Sequence, residues 1–70
     1  MQHPNEPGAD HVLQFFEFEH LPDQVRATSK QFHDLAHEMH KQLPHNTESW
    51  MCLRWLLHAK DCAVRAKLYK

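Results

Sequence analysis

Apolar positions divide the chain into two long helical patterns with a shorter aromatic segment ahead of them. Residues 48–69 run Glu-Ser-Trp-Met-Cys-Leu-Arg-Trp-Leu-Leu-His-Ala-Lys-Asp-Cys-Ala-Val-Arg-Ala-Lys-Leu-Tyr without glycine or proline, and at 1.5 Å per residue they predict one helix of roughly 33 Å. Two apolar sets wind along it. Cys52, Leu56, Ala59, Ala63 and Ala66 follow the three-four spacing of a packing seam, while Trp50, Leu53, Leu57, Val64 and Leu68 occupy an adjacent face. Upstream, Val25, Ser29, Phe32, Leu35, Ala36, Met39 and Leu43 describe an amphipathic helix with a single seam. One such helix cannot cover both faces of the other, so the uncovered face asks for a second subunit or a ligand.

Proline and asparagine punctuate this pattern. Pro22 biases Leu21 away from helix and is tolerated in a first helical turn, and Pro44 disfavours helix at Leu43. Asn46 or Thr47 is placed to cap the following helix, with Glu48 near its positive end. A linker this short predicts antiparallel neighbours. The expected fold is all-α: an antiparallel two-helix hairpin with helices over residues 22–43 and 47–69, preceded by a short aromatic N-terminal arm over residues 11–21. Residues 1–10, with Pro4, Pro7 and the only glycine, Gly8, read as a flexible tail, and residues 11–70 as a single domain. Within the arm, Asp10 can cap one helical turn, whereas Phe16-Glu17-Phe18-Glu19 alternates as an extended segment does. Under either reading Phe15, Phe16 and Phe18 are too apolar for a free tail, and their ordinary role is to lid the core.

Composition sharpens the case for self-association. Seventy residues stand near the lower limit for an independent core, where disulfides, a metal or oligomerisation usually assist. Cys52 and Cys62 would lie roughly 15 Å apart along one helix, beyond bridging distance, and they read as small buried residues of a reducing cytoplasm. Homo-oligomerisation remains. A formal charge of −1 argues against a DNA or RNA polymer as partner. With neither a charged leader nor an apolar stretch of about 20 residues, secretion and membrane insertion are not expected, and the expected location is cytoplasmic.

Four groupings carry candidate chemistry. Arg26, Thr28, Ser29 and Lys30 place cations and hydroxyls near the positive end of the first helix, which suits a phosphate, although an ordinary solvated helix face has the same composition. The arm aromatics precede this cluster by about ten residues, and an aromatic face beside a phosphate grip is how nucleotides are held. Arg54, Lys60, Asp61, Arg65 and Lys67 mark the second helix; Arg65 either pairs with Asp61 one turn away or projects into an interface to meet an anion. His33, His37 and His40 have the spacing of metal ligands, but the motif is not HExxH and no fourth ligand identifies itself, so no dedicated metal is assigned. A cysteine nucleophile with a histidine base is the catalytic alternative; thiols among apolar neighbours stay protonated, and two helices offer no deep pocket. No catalytic residue and no cofactor is expected.

From Phe16 onward the chain resembles the small helical-hairpin phage proteins that sponge cyclic oligonucleotides, the anti-CBASS and anti-Thoeris family. The likeness rests on Phe16-Glu17-Phe18-Glu19-His20-Leu21-Pro22, Leu35-Ala36, the Leu43-Pro44 turn, then Glu48, Leu53, Leu56, Ala59 and residues 63–66, about three quarters of the chain. The resemblance implies an oligomer, often a hexamer, that binds immune signals without degrading them: cyclic dinucleotides between subunits and, in some members, cyclic trinucleotides near a three-fold axis. It implies a dinucleotide grip from Phe16 or Phe18 with Lys30, Thr28 and Ser29, and a trinucleotide contact from Arg65. Arg26 and Arg54 complete the candidate ligand residues. The chain carries phenylalanine in the arm where a tyrosine would add a hydroxyl, and Trp50 and Trp55 where the family is commonly polar. The alternative is a helical module that docks a host protein through a Trp50/Trp55 face, since tryptophan is a typical interface anchor.

Overall fold

In the computed structural model, which describes residues 9–69, the chain is all-helical. The element order is α1 (Ala9–Leu13), a 3-10 turn (Gln14–Phe16), α2 (Asp23–Gln42) and α3 (Thr47–Leu68), with no strand among the described residues. The flexible tail expected over residues 1–10 lies, for residues 1–8, outside the described residues. Ala9 and Asp10 already belong to α1, so Asp10 sits within a helix and does not cap one. Nor is the arm extended through Phe16: the residue closes the 3-10 turn, and the chain straightens only at Glu17 (φ −57°, ψ 140°).

Local chemistry sets the ends of the long helices. Pro22 has no N–H to satisfy, and its carbonyl accepts from the backbone of Val25 at 3.1 Å and Arg26 at 3.0 Å, which opens α2. Leu43 ends α2 in an extended conformation (φ −93°, ψ 144°), as a residue before proline prefers, while its N–H still donates to Met39. Asn46 then caps α3 through a reciprocal box. Its Oδ1 accepts from the Ser49 N–H at 2.9 Å, and Ser49 Oγ accepts from the Asn46 N–H at 2.9 Å. Serine thus takes the place usually held by Glu or Gln.

Helices α2 and α3 pack along each other, and α1 and the 3-10 turn touch both; the molecule measures 44 × 19 × 18 Å. Val12, Phe16, Ala36 and Leu53 form the buried cluster, ringed by Leu13, Phe32, Met39, Trp50, Leu56 and Leu57. The arm therefore supplies two of the four central side chains. Phe16 is fully buried, Phe18 half-buried and Phe15 exposed, so one of the three phenylalanines enters the core outright.

The seam of α3 differs from the sequence expectation. Ser49, Leu53 and Lys60 form its buried line, with Leu56 and Leu57 beside it. Of the expected seam, Ala59 and Ala66 are exposed, and Cys52, Leu56 and Ala63 are only half-buried. The physical reason lies at Lys60, two helical turns beyond Leu53 and hence in phase with it. Its stem runs inward and its ammonium finds an acceptor in the arm, at the carbonyl of Phe15. A lysine normally marks the outer face, and counting it as such rotates the deduced seam. Cys62, expected buried, is exposed for the same reason, while Cys52 is half-buried.

Candidate ligand-binding face

Where the chain leaves the 3-10 turn, Phe18 lies against the outer side of α2. Its ring meets His33 edge to face with centroids 4.9 Å apart, and His33 in turn tilts against His37 at 4.3 Å. One turn earlier on the same helix, Lys30 Nζ stands 2.7 Å from Asp34 Oδ2, and the other carboxylate oxygen is 3.0 Å from His33 Nδ1. Phe18, His33, Asp34 and Lys30 are thus linked in one surface array, with His37 at its edge. Both ends of the Lys30–Asp34 pair are about half exposed, so solvent screening leaves the pair little weight in stability. The Lys30 hydrogen bond, followed by that of His33, holds the Asp34 carboxyl below its ordinary range.

The remaining candidates are dispersed. Arg26 folds back on its own helix start, with Nη1 2.9 Å from Asp23 and Nε and Nη2 on the Leu21 carbonyl at 3.2 and 3.0 Å. Thr28 is half-buried. Ser29 is fully buried, and its Oγ has no hydrogen-bond partner; Phe16 is fully buried too. As folded, neither presents a surface to a ligand. On α3, Arg54 stands 5.7 Å from the Trp50 ring. Arg65 is exposed, and its Nη2 lies 3.5 Å from Cys62 Sγ and not against Asp61, the first of the two roles open to it.

The histidines divide. His33 and His37 stay together, but His40 stacks on His45 at 4.4 Å and 12° beyond the end of α2. Among the described residues, no three His, Cys, Asp or Glu side chains gather to hold a metal ion, and no helix is long and apolar enough to cross a membrane. Trp50 packs at the core, whereas Trp55 is 64% exposed beside His58. Five positions on a helix put them about 140° apart, so they do not share one face. Near the α2–α3 connection, Leu43, Pro44, Asn46, Glu48 and Ser49 line a shallow depression.

Sequence reasoning missed His33 and Asp34 as members of the Phe18–Lys30 array. The signal was present in the four-residue step from Lys30 to Asp34, which places a carboxylate within reach of the ammonium. Comparison of the chain with family models, curated proteins and solved structures finds no match.

Proposed function

We propose that the protein binds cyclic oligonucleotide signals, cyclic dinucleotides or trinucleotides, and sequesters them without cleavage, acting as an antiparallel helical hairpin assembled into a homo-oligomer, as a hexamer in its fullest form. The observation that carries the reading is the contact of Phe18 with His33 beside the Lys30–Asp34 pair. An aromatic ring for a base and an ammonium for a phosphate lie on one exposed face, the two elements a nucleotide needs. Of the expected grip, Phe18 and Lys30 carry this role, whereas Thr28 lies about 200° around α2 from Lys30 and takes no part in the array. Arg65, exposed near the end of α3, is the cation available to a second, trinucleotide contact.

Sequestration works by mass action. An abundant protein with a dissociation constant near 1 nM, about −12 kcal/mol, empties the free pool and silences a host receptor. The test is a thermal-shift panel of cyclic di- and trinucleotides, followed by heat release and chromatography of the bound compound. A ligand that binds the native state raises its melting temperature. An upward shift that Phe18→Ala and Lys30→Glu both abolish, with ligand released intact, supports the reading; no shift across the panel, or a cleaved product, overturns it. The exposed Trp55 favours protein docking as the second reading, and a stable complex with a host protein, absent in Trp55→Ala, would select it.

A further inference from the structure

Apart from its buried line, α3 carries a second apolar line. Cys52, Trp55, Ala59, Cys62 and Ala66 recur at three- and four-residue steps, the a/d spacing of a two-helix seam, and Tyr69, which caps the end of α3, continues the spacing just beyond it. Cys52 is half-buried and every later member is exposed, Trp55 to 64% and Tyr69 to 72%. Trp55 lies about 200° around the helix from the buried Leu53, so α2 and the arm do not reach it.

We propose that this line is the contact between two copies of the chain, with their α3 helices packed antiparallel about a two-fold axis at the level of residue 57. Charge decides the direction. Glu48 occupies the first turn of α3, and Arg65 and Lys67 the last. A parallel pair sets like charges and like helix ends beside each other, whereas an antiparallel pair sets Glu48 of one copy against Arg65 of the other and opposes the helix dipoles. Shape and charge together decide the register. With the axis at residue 57, Trp55 lies over Ala59 of the second copy, a large side chain against a small one, and Glu48 meets Ala66 and Arg65. Sliding by one heptad carries Glu48 either past the end of the facing helix or back against Ala59, and in both cases it loses the arginine. The occupant is a second copy because the face matches itself under this rotation, as a two-fold interface must. The need for further burial is also evident: only five apolar side chains of the described residues are fully buried, a small core for a chain of this length.

The pairing rests on the homo-oligomer of the proposed function and gives it an interface, but it uses none of Phe18, Lys30 or His33, so it stands or falls separately from ligand binding. It also makes a specific chemical statement: Cys52 of each copy faces Cys62 of the other. Within one chain the two thiols are roughly 15 Å apart along the helix and cannot bridge. The experiment combines sedimentation velocity with oxidation by diamide, which takes up the two thiol hydrogens as each S–S bond forms. The wild type should sediment at twice 8.4 kDa or a multiple of it. Trp55→Glu and, independently, Ala59→Arg should keep their helical circular dichroism and weaken association roughly a hundredfold, the scale of a central aromatic anchor. Diamide should cross-link the wild type and an equimolar mixture of Cys52→Ser with Cys62→Ser, but neither variant alone. Sedimentation of the wild type at 8.4 kDa at every concentration would assign the face to a foreign partner and overturn the proposal. So would self-cross-linking of each single variant, the signature of a parallel pair. Loss of the thermal shift with association intact would strike the nucleotide reading alone.

Discussion

Nζ of Lys60 stands 2.9 Å from the carbonyl oxygen of Phe15, joining α3 to the 3-10 turn across 45 positions of sequence. The carbonyls that end a helical turn lack helical partners, and a cation there meets the negative end of the turn's dipole. Lysine reaches it because its long apolar stem can lie in the interior while the ammonium finds an acceptor. A hydrogen bond to a charged group is worth about 1.5–3 kcal/mol, and burial of the ammonium offsets part of that. Lys60→Met, which keeps the stem and deletes the charge, is expected to cost about 1 kcal/mol in urea unfolding. Hydrogen exchange at residues 12–16 should accelerate, because the arm loses its tie to α3. Lys67→Met, on an exposed lysine of the same helix, should change neither.

The arm aromatics should separate sharply under truncation. Phe16 is fully buried with Val12, Ala36 and Leu53, whereas Phe15 is 46% exposed. Phe16→Ala opens a cavity among all the helices and is expected to cost about 3–5 kcal/mol, enough to unfold much of a domain this small. Phe15→Ala should stay within about 1 kcal/mol, since nearly half of its surface already lies in water. Denaturant midpoints of the two variants, measured side by side, check the assignment.

Helical class was legible because its signals are local. Pro22, Pro44 and Asn46 act within a turn of themselves, so their effect needs no knowledge of the partner helix. The inner face of α3 was less legible. Lys60 reads as solvent-facing until the Phe15 carbonyl is placed beside it, and that neighbour is supplied by tertiary structure. The same limit applied to the candidate site. Lys30 reads as a free cation beside hydroxyls, but Asp34 occupies it and Ser29 turns into the core. Which of Phe15, Phe16 and Phe18 faces inward depends on a 3-10 turn whose phase differs from both an α-helix and a strand.

Ser29 offers a test that pits stability against binding. Its Oγ is fully buried without a partner, so the hydroxyl is desolvated with little return. Ser29→Ala removes that cost and improves helix propensity. A stabilisation of about 1 kcal/mol is expected, which in a chain of this size raises the melting temperature by about 4–8 °C. Affinity for any cyclic nucleotide should be unchanged. A loss of binding would mean that Ser29 turns outward to the ligand, and the expected grip would regain that residue.

The cap of α3 should matter more than its exposed position suggests. Asn46 and Ser49 satisfy two backbone donors at the start of a 22-residue helix, through bonds of 2.9 Å in both directions. Asn46→Ala removes the side-chain acceptor and should cost about 1 kcal/mol, within the 0.5–2 kcal/mol usual for such caps. Asn46→Gly, with the backbone freer to adopt the cap conformation and to hydrate, should cost less than alanine. Thermal unfolding of the pair gives the order directly, and equal stability of wild type and both variants would remove the cap from the account of how α3 begins.

Asp34 links acidity to the candidate site. The ammonium of Lys30, and secondarily His33, holds its carboxyl below the ordinary range, so the folded state binds the proton less readily than the unfolded chain. The resulting stabilisation is present above the ordinary carboxylate pKa, near 4, and disappears as pH falls through the lowered folded-state value. Lys30→Gln should move the Asp34 midpoint back upward, which a carbon-13 carboxyl titration reads directly. The pair also restrains Lys30, since an incoming phosphate must compete with a carboxylate 2.7 Å away. Asp34→Asn releases the ammonium, and at neutral pH it should tighten binding of a cyclic dinucleotide severalfold at most, since an exposed ion pair is a weak competitor. If Lys30 has no part in holding phosphate, the same substitution will leave affinity where it was.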